Sequence, residues 1–254
     1  MIRYTRFCSI VALFVLMCTA LFAQDDVQSL KRSQFSSSRV TDAWSKYNDS
    51  LARQFRRKGV DYPAKDIFIR AFKSQNEMEL WARNNDNSEY KLIKTMHICA
   101  ISGSLGPKRA EGDRQVPEGY YFIEEFNAQS DYHLSMLLNY PNYSDQTLGK
   151  TKLGGNIYIH GGCVTVGCMP MTNDGIQELY VACLNARMNG QEFIPVHIFP
   201  TRLTKSGMAY LARQFAADKA KQQFWNELKT GYDYFEKYHK LLPVMYSPDG
   251  KYAN

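Results

Sequence analysis

The chain of 254 residues is long enough to bury a substantial core, and its 44% hydrophobic and 22% charged residues are typical of a soluble globular protein. Its net charge of +6 is modest, no basic cluster exceeds the RQFRRK stretch at 53–58, and no nucleic-acid-binding motif is visible. We therefore expect one domain with extensions and no nucleic-acid partner.

The N-terminus has the pattern of a secretory signal peptide. Arg3 and Arg6 form a basic segment, residues 8–23 are uncharged and apolar, and the acidic QDD stretch follows. We predict a signal peptide at 1–23, cleaved after Ala23, and a protein exported to the periplasm or cell envelope. Membrane anchoring is expected only if the signal is uncleaved or if Cys18 is lipidated, for which the preceding Met17 is bulky.

Loss of residues 1–23 leaves a mature chain with four cysteines and a charge of +4, because two arginines leave with the signal. An exported compartment is oxidising, so an even number of cysteines permits two disulfides. Four cysteines are too few for a disulfide scaffold in a chain of this length, and the fold must depend on its core. The four are Cys99, Cys163, Cys168 and Cys183.

The N-terminal part of the mature chain predicts a linker followed by a helix. Residues 24–40 are polar and serine-rich, which is typical of a linker or a frayed start. From Thr41, a possible N-cap, Trp44, Leu51 and Phe55 recur at helical spacing, and Gly59 is a stop.

The middle of the chain predicts strands. DIFIRAFKS, EMELWARN and EYKLIKTMHICAIS are short apolar runs separated by polar turns, which indicates consecutive antiparallel strands. GSLGPKRAEGDRQVPEG predicts a long loop, and the YYFIEEF and NIYIH segments predict further strands.

The remaining elements are a helix, a strand and a helical C-terminal region. TNDGIQELYVACLNARMNG predicts a helix capped by Thr172 or Asn173 and ended by Gly190, with Cys183 on its apolar stripe as a small core residue. EFIPVHIFP predicts a strand, and residues 204–241 are helical in pattern, with Phe224, Trp225 and other aromatic residues packing back.

The segment IHGGCVTVGC at 159–168 carries the strongest chemical pattern. A thiol attacks as the thiolate, so a reactive cysteine needs a group that takes its proton. His160 ends a strand and Cys168 follows a short glycine-containing turn, so the two can meet across it. The N–H groups of Gly167 and Cys168 could face a developing oxyanion, and the residues together describe a cysteine acyl-transfer site.

Two other interpretations of the segment stay open. Cys163 could form a disulfide with Cys99 or Cys183, which is common in exported proteins but leaves Cys168 unexplained. A zinc site would use His160, Cys163 and Cys168, three ligands at an unusual spacing without a CxxC pair, and we favour it least.

The segment resembles the L,D-transpeptidase (YkuD) catalytic-domain superfamily, specifically its YafK-like branch. In that branch a His-Gly-x-Cys-x-Ser/Thr-x-Gly-Cys run supplies the active site, which corresponds to residues 160–168 here. The similarity continues in MPMTNDGIQELY, VHIFP, ICAISGSLGPKRAEGDRQVPEGYYFI and SDYHLSMLLNYPN, and covers about 64–202.

The resemblance implies a role for each residue of the motif. Cys168 would be the nucleophile, His160 its base, and the carbonyl of Gly161 would orient the imidazole. Thr165 takes the Ser/Thr place and Gly167 precedes the thiol. Val166 stands where many superfamily members have a second histidine, and Met169-Pro170 replaces an apolar residue and an arginine.

That arginine is expected to hold a substrate carboxylate, and its absence puts the cross-linking reaction in doubt. Lys108, Arg109 and Arg114 in the long loop are substitute candidates, with solvated loop charges as the simpler interpretation. His133 belongs to the resemblance and is either a structural group or part of the substrate cleft. We assign no role to the three histidines at 97, 197 and 239.

The resemblance implies an α+β fold with a β-rich core of antiparallel sheets, sandwich- or barrel-like, and flanking N- and C-terminal helices. We expect a linker and helix at 24–63, a catalytic domain at 64–202 and a C-terminal helical extension at 203–254. The expected enzyme acts on the third, diamino acid residue of peptidoglycan stem peptides and transfers it to an amine or to water. The latter includes release of a peptidoglycan-linked envelope protein, and this chemistry needs no cofactor.

A second class of function is a non-catalytic envelope or peptidoglycan-binding module. It would keep the same fold with its cysteines in a disulfide.

Overall fold

A computed structural model describes residues 26–253, so the expected signal peptide, with Cys18, lies outside the described residues. Eight strands form one sheet with helices packed around it. The strands are β1 (Asp66–Phe72), β2 (Glu77–Arg83), β3 (Lys91–His97), β4 (Gly119–Asn127), β5 (Ser135–Leu138), β6 (Tyr158–His160), β7 (Met169–Pro170) and β8 (Ile194–Phe199). The helices are α1 (26–35), α2 (Ser38–Arg57), α3 (Tyr143–Leu148), α4 (Asn173–Met188), α5 (Lys205–Gln214) and α6 (Lys219–Tyr238).

The strand order β3-β2-β1-β8-β4-β5-β6-β7 confirms the expected α+β class with a β-rich core. The expectation of antiparallel sheets is wrong in detail, because there is one mixed sheet: β1 pairs with β8, and β6 with β7, in parallel. A parallel pair needs a crossover between its strands. The chain supplies the β1–β8 crossover with β2 to β7 and α4, which return β8 to a place between β1 and β4.

The main core lies between one face of the sheet and the helices α2 and α4. Thr172 caps α4, as predicted, by accepting the Gly175 N–H with its hydroxyl. Ile176, Tyr180 and Cys183 are fully buried in this core, so the prediction that Cys183 is a core residue is confirmed.

Strand alternation separates core residues from site residues on β4, β5 and β6. Successive side chains of a strand point to opposite faces of the sheet. Met136 and Leu138 on β5 and Ile159 on β6 belong to the main core. Ser135 on β5, with Tyr158 and His160 on β6, therefore face the opposite side, which we call the outer face.

The N-terminal segment is more helical than the sequence predicts. Residues 26–35 form a helix where a linker was expected, and α2 begins at Ser38 instead of after Thr41. The reason is tertiary packing, because Val40 and Ala43 are buried against the core and the Gln34 amide donates to the carbonyl oxygen of Phe126. Such contacts override the weak helix preference of serine-rich sequence.

The C-terminal region consists of two helices instead of one continuous helix. Asp218 interrupts the pattern, because its side chain accepts the Lys221 N–H and caps the start of α6. Phe224 and Trp225 are buried, as predicted, in a second core with Phe72 and Tyr120 on the outer side of the sheet. No helix within 26–253 is long and apolar enough to cross a membrane.

Candidate active site

The parallel pairing of β6 with β7 brings the histidine and the free cysteine of the motif to one place. His160 ends β6, and Cys168 directly precedes β7, whose Met169 lies beside Ile159. Both side chains line one cavity of about 250 Å³, which we call the nucleophile cavity. Its lining residues are Asn127, Ser130, Asp131, Tyr132, Ser135, Asn156, Tyr158, His160 and Cys168.

The His160 ring is held in one orientation and one tautomer. Its Nδ1 lies 2.6 Å from the carbonyl oxygen of Gly161. Because a carbonyl oxygen only accepts hydrogen bonds, Nδ1 carries the proton and Nε2 keeps its lone pair. The Tyr132 ring packs on the imidazole with ring centroids 4.7 Å apart. The residue is buried, and burial lowers the pKa of His160, an effect that the Gly161 contact opposes.

The Cys168 thiol lies against the backbone of the segment before β6. The Tyr158 N–H donates to its Sγ at 3.4 Å, and the thiol itself donates to the Asn156 carbonyl at 3.7 Å. Burial raises the pKa of Cys168, while the Tyr158 N–H and the positive charge of Lys108 act in the opposite direction. Both shifts favour the neutral forms, a thiol and a neutral imidazole.

Two glycines of the segment are required by the local geometry. A Cβ atom at Gly161 would lie 2.7 Å from Asn173 Oδ1 and 2.9 Å from the Tyr132 carbonyl oxygen. Gly167 has a φ of +101°, a backbone conformation that side-chain-bearing residues rarely adopt. Gly161 therefore allows close approach beside the histidine, and Gly167 the turn that presents the thiol.

The expected oxyanion donors are already engaged within the protein. The Gly167 N–H donates to Ser102 Oγ at 2.7 Å, and the Cys168 N–H donates to Thr165 Oγ1 at 2.8 Å. The Thr165 hydroxyl in turn donates to the Cys168 carbonyl oxygen at 2.8 Å. The expectation that these two N–H groups face the cleft is wrong in this structure, because backbone donors in a partly buried turn must be paired. Thr165 fixes the turn instead.

A disulfide joins Cys99 to Cys163, with an S–S distance of 2.01 Å and a Cα–Cα distance of 5.1 Å. It is one of the two pairings that the sequence left open, and it ties the segment after β3 to the loop between β6 and β7. Cys168 is a free, partly exposed thiol, and Cys183 is free and buried.

The zinc interpretation finds no support in this arrangement. Cys163 is occupied by its disulfide. Across residues 26–253, no group of three or more His, Cys, Asp or Glu side chains is placed to hold a metal ion.

Lys108 and Arg109 are paired inside the protein, which does not favour the expectation that they bind a substrate carboxylate. The ammonium group of Lys108 is buried and donates to Asp113 Oδ1 at 2.7 Å. The Arg109 guanidinium pairs with the buried carboxylate of Asp145. Buried charges require such partners, and a loop with both signs can supply them internally.

Arg114 remains a candidate for a substrate carboxylate. It is exposed, and no hydrogen bond or ion pair engages its guanidinium among the described residues. The turn at 165–168, which presents the Cys168 thiol, is called the nucleophile turn below. The carbonyl oxygen of the adjacent Gln115 would lie 3.3 Å from a Cβ atom at Gly167, so Arg114 lies next to this turn.

His133 lies outside the nucleophile cavity. Its Nε2 accepts from the Gln177 side-chain amide on α4 at 2.9 Å, and Arg39 donates to its carbonyl oxygen at 2.8 Å. His133 thus lies between the nucleophile cavity and α4. This position favours the structural role for His133 over a place in the substrate cleft.

Sequence reasoning did not single out three residues that shape the site: Ser102, Tyr132 and Tyr158. Tyr158 could have been found, because it lies two residues before His160 in a strand and must share its face. Tyr132 precedes His133 in the same motif, but no local pattern distinguishes which of the two turns toward the cavity. Ser102 contacts Gly167 across 65 positions of sequence, which no local pattern predicts.

Residues 66–198 match the family model described as YkuD, the L,D-transpeptidase catalytic domain. The match includes the nucleophile turn and the strand that ends at His160. The chain belongs to the YkuD family. Within the family it is similar to the Escherichia coli (strain K12) protein named "Putative L,D-transpeptidase YafK", with 34% identity over 205 residues, 80% of this chain and 78% of that protein.

Two solved structures resemble this YkuD-family chain more distantly. A mutant of the helical cell shape determining protein Pgp2 from Campylobacter jejuni has 20% identity and a TM-score of 0.44, over 66% of this chain and 58% of that chain. Bd1075 from Bdellovibrio bacteriovorus has 23% identity and a TM-score of 0.39, over 66% of this chain and 62% of that chain. This chain thus spans less than two thirds of the chain in either solved structure.

Proposed function

We propose that the protein is an exported cysteine enzyme that modifies peptidoglycan stem peptides through a thioester acyl-enzyme. The observation that carries the proposal is that a free Cys168 thiol and the His160 imidazole line one cavity, with the Gly161 carbonyl leaving Nε2 available as a base. Membership of the YkuD family supports peptidoglycan as the substrate.

The first step is acylation. As Cys168 Sγ attacks the carbonyl carbon of the third, diamino acid residue of the stem peptide, His160 Nε2 takes the thiol proton. The tetrahedral intermediate collapses when the carbon–nitrogen bond breaks, and the imidazolium returns the proton to the departing amine. The Gly161 carbonyl stabilises the imidazolium through Nδ1–H, in the place that a carboxylate takes in other triads.

The thiolate forms during attack and is not present beforehand, because burial favours the neutral forms of both Cys168 and His160. The Tyr158 N–H and the positive charge of Lys108 partly oppose the rise in the pKa of Cys168, so they help the thiol to ionise when the substrate binds. Lys108 therefore acts on the thiol through its charge, although its ammonium is paired within its own loop.

The second step is transfer to an acceptor. An amine that attacks the thioester gives an L,D-transpeptide link, and water gives hydrolysis, including release of an envelope protein linked to the stem peptide. His160 deprotonates either acceptor. The predicted signal peptide would place this reaction in the periplasm, and Arg114 is our candidate for binding a substrate carboxylate.

The experiment is acylation of periplasmically folded protein by a carbapenem, followed by intact-mass measurement. We expect a single adduct in the wild type and in Cys183→Ala, which removes the other free thiol, and none in Cys168→Ala. The alternative function, a binding module with its cysteines in a disulfide, predicts no adduct and no titratable thiol at position 168. The observed Cys99–Cys163 pairing leaves that thiol free, which favours the enzyme.

A further inference from the structure

A second and larger cavity of about 720 Å³ lies elsewhere on the protein and has no role in the chemistry above. It is formed by β4, β8, the segment that leads into α3, and the C-terminal segment after α6, and it shares no lining residue with the nucleophile cavity. We call it the aromatic groove, defined by Phe122, Asn139, Tyr143, Gln146, Phe193 and Tyr246.

Two aromatic pairs form the walls of the groove. Phe122 and Phe193 have ring centroids 4.8 Å apart, and Tyr143 and Tyr246 have centroids 5.4 Å apart. Phe193 is 53% exposed and Tyr143 is 46% exposed, so ring surface is left open to solvent on both sides. Exposed aromatic surface in a concave site commonly marks binding.

Polar groups between the rings are available to a ligand. Asn139 uses its Oδ1 to accept the Phe122 N–H and leaves its Nδ2 donors, while Gln146 uses its Nε2 on the Pro141 carbonyl and leaves its Oε1 acceptor. Glu124 adds a carboxylate, and among residues 26–253 no lysine or arginine lines the groove. The site therefore suits an uncharged ligand with flat apolar faces, hydroxyl groups and amides, and it disfavours phosphate polymers.

The aromatic groove and the nucleophile cavity open on the same outer face of the sheet. On β5 and the residue that follows it, Ser135 lines the nucleophile cavity and Asn139 lines the groove, while Met136 and Leu138 face the core. Ser135 and Asn139 are four positions apart, so at about 3.3 Å per extended residue these two lining residues lie about 13 Å from each other.

We propose that the aromatic groove binds the glycan strand that carries the stem peptide, through the sugar rings next to the attachment point. This inference rests on the proposed function. Three stem residues between the sugar and the attacked carbonyl span about 10 Å when extended, and the lactyl group that joins them to the sugar adds to this reach, which is comparable with the spacing of about 13 Å between Ser135 and Asn139. The apolar faces of the pyranose rings stack on Tyr143 and Phe193, and their hydroxyl and acetamido groups bond to Asn139 and Gln146.

The first test is binding of glycan strands of alternating N-acetylglucosamine and N-acetylmuramic acid that carry no stem peptide and whose lactyl carboxylates are converted to amides, so that they are uncharged as at a stem-peptide attachment point. The full mature chain carrying Cys168→Ala is titrated by calorimetry. Phe193→Ala and Tyr143→Ala should each weaken binding by about three- to tenfold, the usual range for one aromatic contact. The matched control is Tyr238→Ala, which removes a 43% exposed tyrosine on α6 outside the groove and should leave binding unchanged.

The second test compares free tetrapeptide with disaccharide-tetrapeptide as substrates of the wild-type thiol. Phe193→Ala should raise KM for the sugar-bearing substrate alone, with kcat and carbapenem acylation unchanged. The proposal is overturned if glycan strands do not bind or if the groove variants bind them like the wild type. It is also overturned if Phe193→Ala raises KM for the free tetrapeptide as much as for the disaccharide-tetrapeptide. Failure of acylation with intact glycan binding would instead contradict the proposed function and leave the groove standing.

Discussion

Two loops meet at the nucleophile turn, and they use their polar residues in opposite ways. In the loop at 161–168, backbone groups form hydrogen bonds with the hydroxyl of Thr165 and with that of Ser102 from another segment. The Cys168 side chain is left to line a cavity. In the loop at 103–118, Lys108 and Arg109 instead turn inward, where Lys108 pairs with Asp113 and Arg109 with Asp145, while Arg114 is exposed.

The difference shows that a charged loop beside a candidate active site need not be a binding loop. Residues 103–118 form a wall whose two ends are joined by Lys73, since its buried ammonium lies 2.9 Å from Glu118 Oε1 and also donates to the Ser104 and Val116 carbonyls. The wall positions the turn that carries the thiol. The predictions below separate residues that react from residues that hold this wall.

The largest expected effect is the loss of the base in His160→Ala. Carbapenem acylation should fall by about 10²–10⁴-fold at neutral pH, because the thiol loses its proton acceptor. Activity should partly return at alkaline pH, since burial raises the pKa of Cys168 and only the thiolate then attacks without help. The control is His97→Ala, which changes an exposed histidine at the end of β3. Equal acylation rates in the two variants would remove His160 from the mechanism.

Next in size is the effect of breaking the Lys73–Glu118 pair. Both side chains are fully buried, so Lys73→Met leaves an unpaired buried carboxylate and should lower the free energy of unfolding by about 3–5 kcal/mol. Urea denaturation measures this. The matched variant Lys229→Met breaks the solvent-exposed pair with Asp233 and should cost less than about 1 kcal/mol. Similar losses in both would mean that the wall does not depend on this pair.

Removal of the disulfide should have a somewhat smaller effect. The bridge closes a loop of 64 positions, and the double variant Cys99→Ala/Cys163→Ala should lose about 2–4 kcal/mol of stability. The Cys168 thiol should still be acylated at temperatures where the variant is folded. If Cys168 is instead found in a disulfide in the wild type, the assignment of Cys163 to the disulfide and of Cys168 to the reactive thiol is incorrect.

The smallest expected effect belongs to Arg114, which is exposed beside the nucleophile turn. Arg114→Gln should raise KM for a stem peptide with a free carboxylate by about tenfold, the weight of one charge-assisted contact, without changing the melting temperature. Arg109→Leu, by contrast, should lower the melting temperature, because it leaves the buried carboxylate of Asp145 without its partner. A KM that does not respond to Arg114 would mean that another group binds the carboxylate.

Local pattern was sufficient for most elements and for the pair at the centre of the site. The alternation around NIYIH predicted the strand that ends at His160, and Thr172 predicted the start of α4. The glycine before Cys168 and its place opposite His160 already distinguished it from Cys163, whereas composition and spacing left both disulfide partners of Cys163 open.

The parts that the sequence did not predict depend on contacts distant in the chain. Residues 26–35 are helical through packing that a polar, serine-rich sequence does not reveal. The engagement of the Gly167 N–H by Ser102, and of Arg109 by Asp145, required the fold to bring separate loops together. The sequence of a loop does not show whether a charged side chain in it pairs with a substrate or with another residue of the protein.

The most direct test of the account is detection of the acyl-enzyme formed with a natural substrate. The protein is mixed with a disaccharide-tetrapeptide, or separately with a protein-linked disaccharide-tripeptide, quenched in acid and weighed intact. We predict that at least one substrate leaves a disaccharide-tripeptidyl thioester on Cys168, seen also in Cys183→Ala and absent in Cys168→Ala. Turnover of either substrate by Cys168→Ala at the wild-type rate would contradict the central claim.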